Sequence, residues 1–200
     1  MTSLRPGRAP GDCVCGTGAI FECNGRVPDH IGDDEIREEL TEDQKRDNVV
    51  RLAFGGRTDR YEEFCRAIED VVPPGTEVIL RGSSVTGQRW RDEAPFDSDG
   101  PGTSDLDLTL VGDAALAYFK ASGFFVPGVH SRPVSEKDPD IAPDLVPLRQ
   151  TLMAMVGRPV NIQATRPIVR LLRGDVFGQP YLTLFRKPEG LSLSVPAGPA

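Results

Sequence analysis

The chain has 200 residues with a formal net charge of −7, and it is 38% hydrophobic and 26% charged. That length suits one domain with an appended segment and can bury a sizeable core. The acidic balance argues against broad coating of nucleic acid; no run approaches the roughly 18 apolar residues of a membrane span, and the opening MTSLRPGRAPGDCVC lacks the apolar stretch of a secretory signal. A cytoplasmic protein without a membrane partner, or one delivered by a route without a classical signal, is the expectation.

Residues 1–57 read as an N-terminal extension, first cysteine-containing and then acidic. Cys13, Cys15, Cys23 and His30 are spaced C-x-C-x7-C-x6-H. Zinc sites pair their cysteines two to four residues apart, so free thiols are the plainer reading and a zinc-stabilised interaction segment the sharper one. Asp33, Asp34, Glu35, Glu38, Glu39, Glu42 and Asp43 make the next stretch a solvated helix or linker, or a docking surface for a basic partner. Ile36, Leu40, Val49, Val50 and Leu52 suggest some helical packing there.

A domain is expected over residues 58–188. Asp59 and Glu62 have capping-box spacing, and Tyr61, Phe64, Cys65, Ile68, Val71 and Val72 form the apolar stripe of a core-facing helix that Pro73, Pro74 and Gly75 end. A strand over 77–80 follows, then Gly82-Ser83-Ser84, a loop over 88–103 and a second strand over 105–111. Helices are expected over 114–122 and 145–156, with a long polar loop over 127–143 between them. A strand over 158–164 alternates Val160, Ile162 and Ala164 with Asn161 and Gln163, and a helix over 165–173 and a short strand over 181–185 precede a tail, 189–200. Helices and strands mixed in this order define an α/β (α+β) chain, a mixed sheet with helices on one face.

The chemistry concentrates between residues 77 and 111. The period-2 geometry of a strand puts Asp105 and Asp107 on one face and Leu106, Leu108 and Leu110 on the other. Two adjacent carboxylates repel unless a cation lies between them, and hard oxygen ligands suit Mg²⁺ or Mn²⁺. Gly82, Ser83 and Ser84 offer backbone N–H groups and hydroxyls to a phosphate. A polar strand edge and an ordinary turn are the plainer readings of each motif taken alone.

The order GSS at 82–84, then SDLDL at 104–108 on the next strand, resembles the nucleotidyltransferase fold of the polymerase-β-like superfamily. The resemblance covers roughly residues 59–173. It implies a nucleoside triphosphate as substrate, with Gly82, Ser83 and Ser84 at its phosphates and Asp105 and Asp107 as catalytic ligands of Mg²⁺ or Mn²⁺. It also implies transfer of a nucleoside monophosphate to a hydroxyl on RNA, a protein or a small molecule. Stand-alone minimal members include toxin-like and resistance enzymes, so the resemblance extends to such a role.

Two departures stand out. The loop between the motifs is longer than in minimal members and carries Arg89, Trp90, Arg91, Asp92, Glu93, Asp97 and Asp99. It is either a flap that selects the acceptor or a surface insertion. For Trp90, the single tryptophan, packing is expected over stacking on a base. The later strand that usually bears a third carboxylate offers Asn161 and Gln163, amides that can ligate a metal or nucleotide but cannot act as bases. Three alternatives follow: the metal alone activates the acceptor, a loop carboxylate (Asp138, Asp140 or Asp144) joins the pair, or the protein is a nucleotide- or partner-binding module without catalysis. Arg166, Arg170 and Arg173 recur at helical spacing as a solvated face or a surface for triphosphate or RNA. Neither His30 nor His130 is assigned a catalytic role.

Overall fold

The computed structural model describes residues 39–189, which belong to one compact unit; the cysteine-containing segment and the tail lie outside the described residues. Its centre is a six-stranded sheet in the order β3-β4-β5-β2-β1-β6. The strands are β1 (Glu77–Arg81), β2 (Leu106–Val111), β3 (Phe124–Val126), β4 (His130–Ser131), β5 (Val160–Thr165) and β6 (Tyr181–Arg186). Only β2 and β5 run parallel; every other pair is antiparallel, so the fold is mixed α/β.

Helices α1 (Glu42–Phe54), α2 (Thr58–Val71) and α5 (Val146–Val156) contribute to one core with a single face of the sheet. Alternation works as the sequence implies: Leu106, Leu108 and Leu110 of β2 and Val160, Ile162 and Ala164 of β5 are buried in that core. The opposite face is more polar, with Glu77, Arg81, Thr109 and Thr165 buried there beside Ile79 and Val111. Helix α6 (Pro167–Leu171) and the π-helical turn after it, Leu172–Val176, border this second face, where Arg170 pairs with Glu77 at 3.5 Å. Among the described residues no helix is long and apolar enough to cross a membrane.

Helix α1 begins with a full capping box between Thr41 and Gln44 and ends at Gly55 in the left-handed region, φ 61°. Helix α2 does not use Asp59 as its cap. It starts at Thr58, with no side-chain bond from its N-cap Arg57, whose guanidinium instead holds the Asp59 carboxylate at 2.7 Å. At its far end Lys187 donates to the carbonyls of Glu69 and Val72, satisfying acceptors left open by the helix end. Cys65 is half-buried against the core, and burial pushes its thiol up to about 11.

Three other expectations change. The helix expected over 114–122 shortens to α4 (Asp113–Leu116) and a 3₁₀ turn, Ala121–Gly123. The polar loop over 127–143 contains β4, and with β3 it extends the sheet. The helix expected over 165–173 is α6 running into the π turn, so its three arginines do not share one solvated face. Arg166 pairs with Asp113 at 3.4 Å, Arg170 with Glu77, and Arg173 donates to Gln179 at 2.9 Å.

Candidate functional site

The antiparallel β1–β2 pair and the parallel β2–β5 pair bring three residues into line: Arg81 lies opposite Asp107, and Asp107 opposite Asn161. Partners in register put their side chains on the same face of the sheet. Asp105 directly precedes β2, two residues from Asp107 and therefore on this face too. The Asn161 Nδ2 donates to Asp105 Oδ2 at 2.6 Å and to Asp107 Oδ1 at 3.0 Å, bridging the two carboxylates. Gln163, the other amide of β5, is occupied elsewhere, donating to Thr109 Oγ1 at 2.9 Å.

Burial, followed by the charge of Asp105, pushes the Asp107 carboxyl up to about 6; the amide of Asn161 and the charge of Arg173 oppose the rise. Such a pair of strained carboxylates is a fitting place for a divalent cation, which accepts one or two protein carboxylates and completes its shell with water and phosphate oxygens. The two aspartates would hold it, with Asn161 able to offer its carbonyl oxygen by turning the amide over. Among the described residues no group of three or more His, Cys, Asp or Glu side chains is placed to hold a metal, so no loop carboxylate stands beside the pair in this structure. Asp138, one of those proposed to do so, is paired with Arg132 at 3.0 Å.

Gly82 ends β1 with φ 87° and ψ −166°, a conformation open essentially to glycine alone. A Cβ there would lie 3.5 Å from Asp107 Oδ2, so the turn and the carboxylate are in close approach. After it, Ser83–Thr86 forms one helical turn, α3, which α1 holds through a bond from Asn48 Nδ2 to the Val85 carbonyl, 3.0 Å. Gly82, Ser83 and Asp107 line a cleft of about 450 Å³ together with Arg81, Trp90, Arg173 and Gln179. Ser84, grouped with Ser83 from the sequence, does not line it. Its side chain is fully buried, and its hydroxyl has no partner among the described residues.

The inserted loop is ordered by its own network. Asp97 accepts both arms of Arg158 (3.0 and 3.2 Å) and the N–H groups of Gly102 and Ser104, while its own N–H donates to the Ser104 hydroxyl. Arg158 also donates to the Ser104 carbonyl and lies over the Phe96 ring, 4.5 Å to the centroid. Burial opposes ionisation of Asp97, but Arg158 and those N–H groups outweigh it and hold the carboxyl at about 2. This clamp fixes Ser104, the residue before Asp105, and so positions the carboxylate pair. Neither Asp97 nor Arg158 is legible as a site residue in the sequence, where the local signal is no more than an acidic residue in a glycine-containing loop. Trp90, expected to pack, is 59% exposed and lines the cleft instead.

No protein-family model, no curated protein and no solved structure matches the chain.

Proposed function

We propose that the protein is a metal-dependent nucleotidyltransferase built on a nucleotidyltransferase-like sheet. One observation carries this reading: Asp105 and Asp107 are joined by Asn161 at 2.6 and 3.0 Å, and Asp107 shares a cleft with the Gly82–Ser83 turn. Mg²⁺ or Mn²⁺ held by the aspartates would supply positive charge to the phosphates. Gly82 admits a phosphate close to the backbone, and the Ser83 hydroxyl can bond it. The acceptor hydroxyl oxygen then bonds the α-phosphorus, the bond from that phosphorus to the α,β-bridging oxygen breaks, pyrophosphate leaves with the electron pair, and the hydroxyl proton passes to water. Positioning and electrostatics supply most of the rate in such transfers.

Asn161 favours a second reading. An amide stands where a third acid would help, which suits a nucleotide- or partner-binding module that does not turn its ligand over. Each labelled nucleoside triphosphate, incubated with the protein, Mn²⁺ or Mg²⁺ and cell extract, separates the two. The first reading expects label on RNA, protein or a small molecule, lost in an Asp105→Asn/Asp107→Asn double variant. Metal-dependent binding without transfer selects the module, and neither binding nor transfer discards both.

A further inference from the structure

The cleft beside Asp107 has an unbalanced set of charges. Four arginines line it: Arg81, Arg89, Arg91 and Arg173. Arg89 is answered by Asp92 and Asp99, at 3.3 and 2.8 Å, and Arg91 by Asp92 at 3.3 Å. Arg81 and Arg173 form no ion pair with any carboxylate among the described residues. Asp107 is the single carboxylate of the lining, and it already accepts from Asn161.

Arg81 is the more unusual of the two. Its side chain is held in the sheet with 6% of the residue exposed, and its Nε and Nη1 are buried without an acceptor among the described residues. A buried guanidinium with open donors is costly, and natural folds rarely keep one without a purpose. Its one relief among the described residues is an aromatic ring shared with two other cations. The Tyr181 ring has Arg81 at 5.1 Å, Arg170 at 5.7 Å and Lys45 at 5.9 Å from its centroid. Of these cations Arg170 has Glu77 and Lys45 has Glu42, which leaves Arg81 as the one without a carboxylate among the described residues. Arg173 stands on the π turn, its Nε held at 2.9 Å by Gln179, itself a cleft residue. Gly174 lets that turn sit against Tyr181: a Cβ there would come within 2.5 Å of the ring.

We propose that Arg81 and Arg173 form an anion subsite next to Asp107, and that its ligand is a linear polyphosphate group, the β- and γ-phosphates of the nucleotide before transfer and pyrophosphate after it. Identification of the anion as part of a nucleotide rests on the nucleotidyltransferase reading; the subsite itself rests on the unpaired guanidinium groups. Planar guanidinium donors match phosphate oxygens in pairs, and two of them suit a doubly substituted anion better than a single inorganic phosphate. Burial, followed by the nearby charge of Arg173, pushes Arg81 down to about 10, a direction that a bound anion would reverse. The cleft volume of about 450 Å³ is within the range of small-molecule sites.

The test uses the full chain with EDTA present, so that no divalent cation takes part, and pyrophosphate as the probe. Trp90 is the only tryptophan and lines the cleft, so its fluorescence reports occupancy, with calorimetry as the second readout. Pyrophosphate is expected to bind at low salt, more tightly than inorganic phosphate. Binding should weaken at least tenfold in Arg173→Gln and in Arg81→Met. Should Arg81→Met fail to fold by circular dichroism, the partly exposed Arg173→Gln decides alone. Absence of binding, or equal binding by wild type and Arg173→Gln, overturns the subsite. Arginine-dependent pyrophosphate binding in a protein that transfers no label keeps the subsite and removes the transferase. Transfer by a protein whose Arg173→Gln form binds pyrophosphate like wild type keeps the transferase and removes the subsite.

Discussion

Asn161 and Asp107 face each other across the only parallel strand pair of the described sheet, and the amide donates to the carboxylate at 3.0 Å. The same amide reaches Asp105 at 2.6 Å, so one neutral side chain partly offsets the repulsion of two charged ones. It does not abolish it, because the Asp107 carboxyl still titrates near 6 rather than 3.8.

That shift has a sign. A carboxyl whose folded value is raised binds its proton more tightly in the fold than in the unfolded chain. Its stabilising contribution is complete below about pH 4 and is lost as pH rises through about 6, a change of up to about 3 kcal/mol. Melting temperature of the metal-free protein should therefore fall across this window. Asp107→Asn should flatten the fall, and a profile identical to wild type would contradict the assignment.

Asn161→Asp places a third acid beside the pair. Without metal it should lower stability above pH 6 by about 1–3 kcal/mol, since the amide donor is lost and a like charge added. Mn²⁺ should then bind at least about tenfold more tightly, equivalent to ~1.4 kcal/mol. Calorimetric titration with Mn²⁺ at neutral pH measures this, and an unchanged affinity argues against a cation at this position.

Gly82→Ala forces a side chain into backbone at φ 87° and ψ −166°, with its Cβ 3.5 Å from the Asp107 carboxylate. The strain should cost about 1–3 kcal/mol in chemical denaturation. Nucleotide affinity should fall more than stability predicts, because the added carbon narrows the approach to the turn. If denaturation and nucleotide titration both match wild type, the close approach is irrelevant.

Asp97→Asn keeps a residue tolerant of φ 59°, removes the charge and turns one of two accepting oxygens into a donor that faces N–H groups. Arg158, nearly buried, loses its ionic partner, at a cost of about 2 kcal/mol. The Asp97 carboxyl is depressed to about 2, so the wild-type contribution is present above about pH 4 and disappears as pH falls through about 2. Hydrogen exchange should rise at residues 97–104 in the variant; protection equal to wild type would mean that the clamp does not order the loop.

The parts legible in the sequence are those governed by local period. Leu106, Leu108 and Leu110 alternate with Asp105, Asp107 and Thr109 because one face of the sheet packs into the hydrophobic core with α1, α2 and α5 while the other carries the polar site. The same alternation on β5 placed Asn161 and Gln163 together, but only the register against β2 decides that Asn161 meets the carboxylates and Gln163 meets Thr109. Asp97 and Arg158 pair across 61 positions, and no spacing rule reaches so far. The β3–β4 pair is not legible in the sequence because its strands are three and two residues long and carry no alternation to read. Asp59 had the right residue type at the right spacing for a cap, yet the competing bond from Arg57 took it.

The parallel pairing of β2 with β5 also sets an order of events. Asn161 reaches Asp107 across a separation of 54 residues, so a growing chain that has emerged only through β2 carries two neighbouring carboxylates with no amide between them. Contacts of such long range are slow to close. The site thus comes into being only once β5 has been made, and a chain truncated before Val160 would keep both aspartates without the strand that joins them.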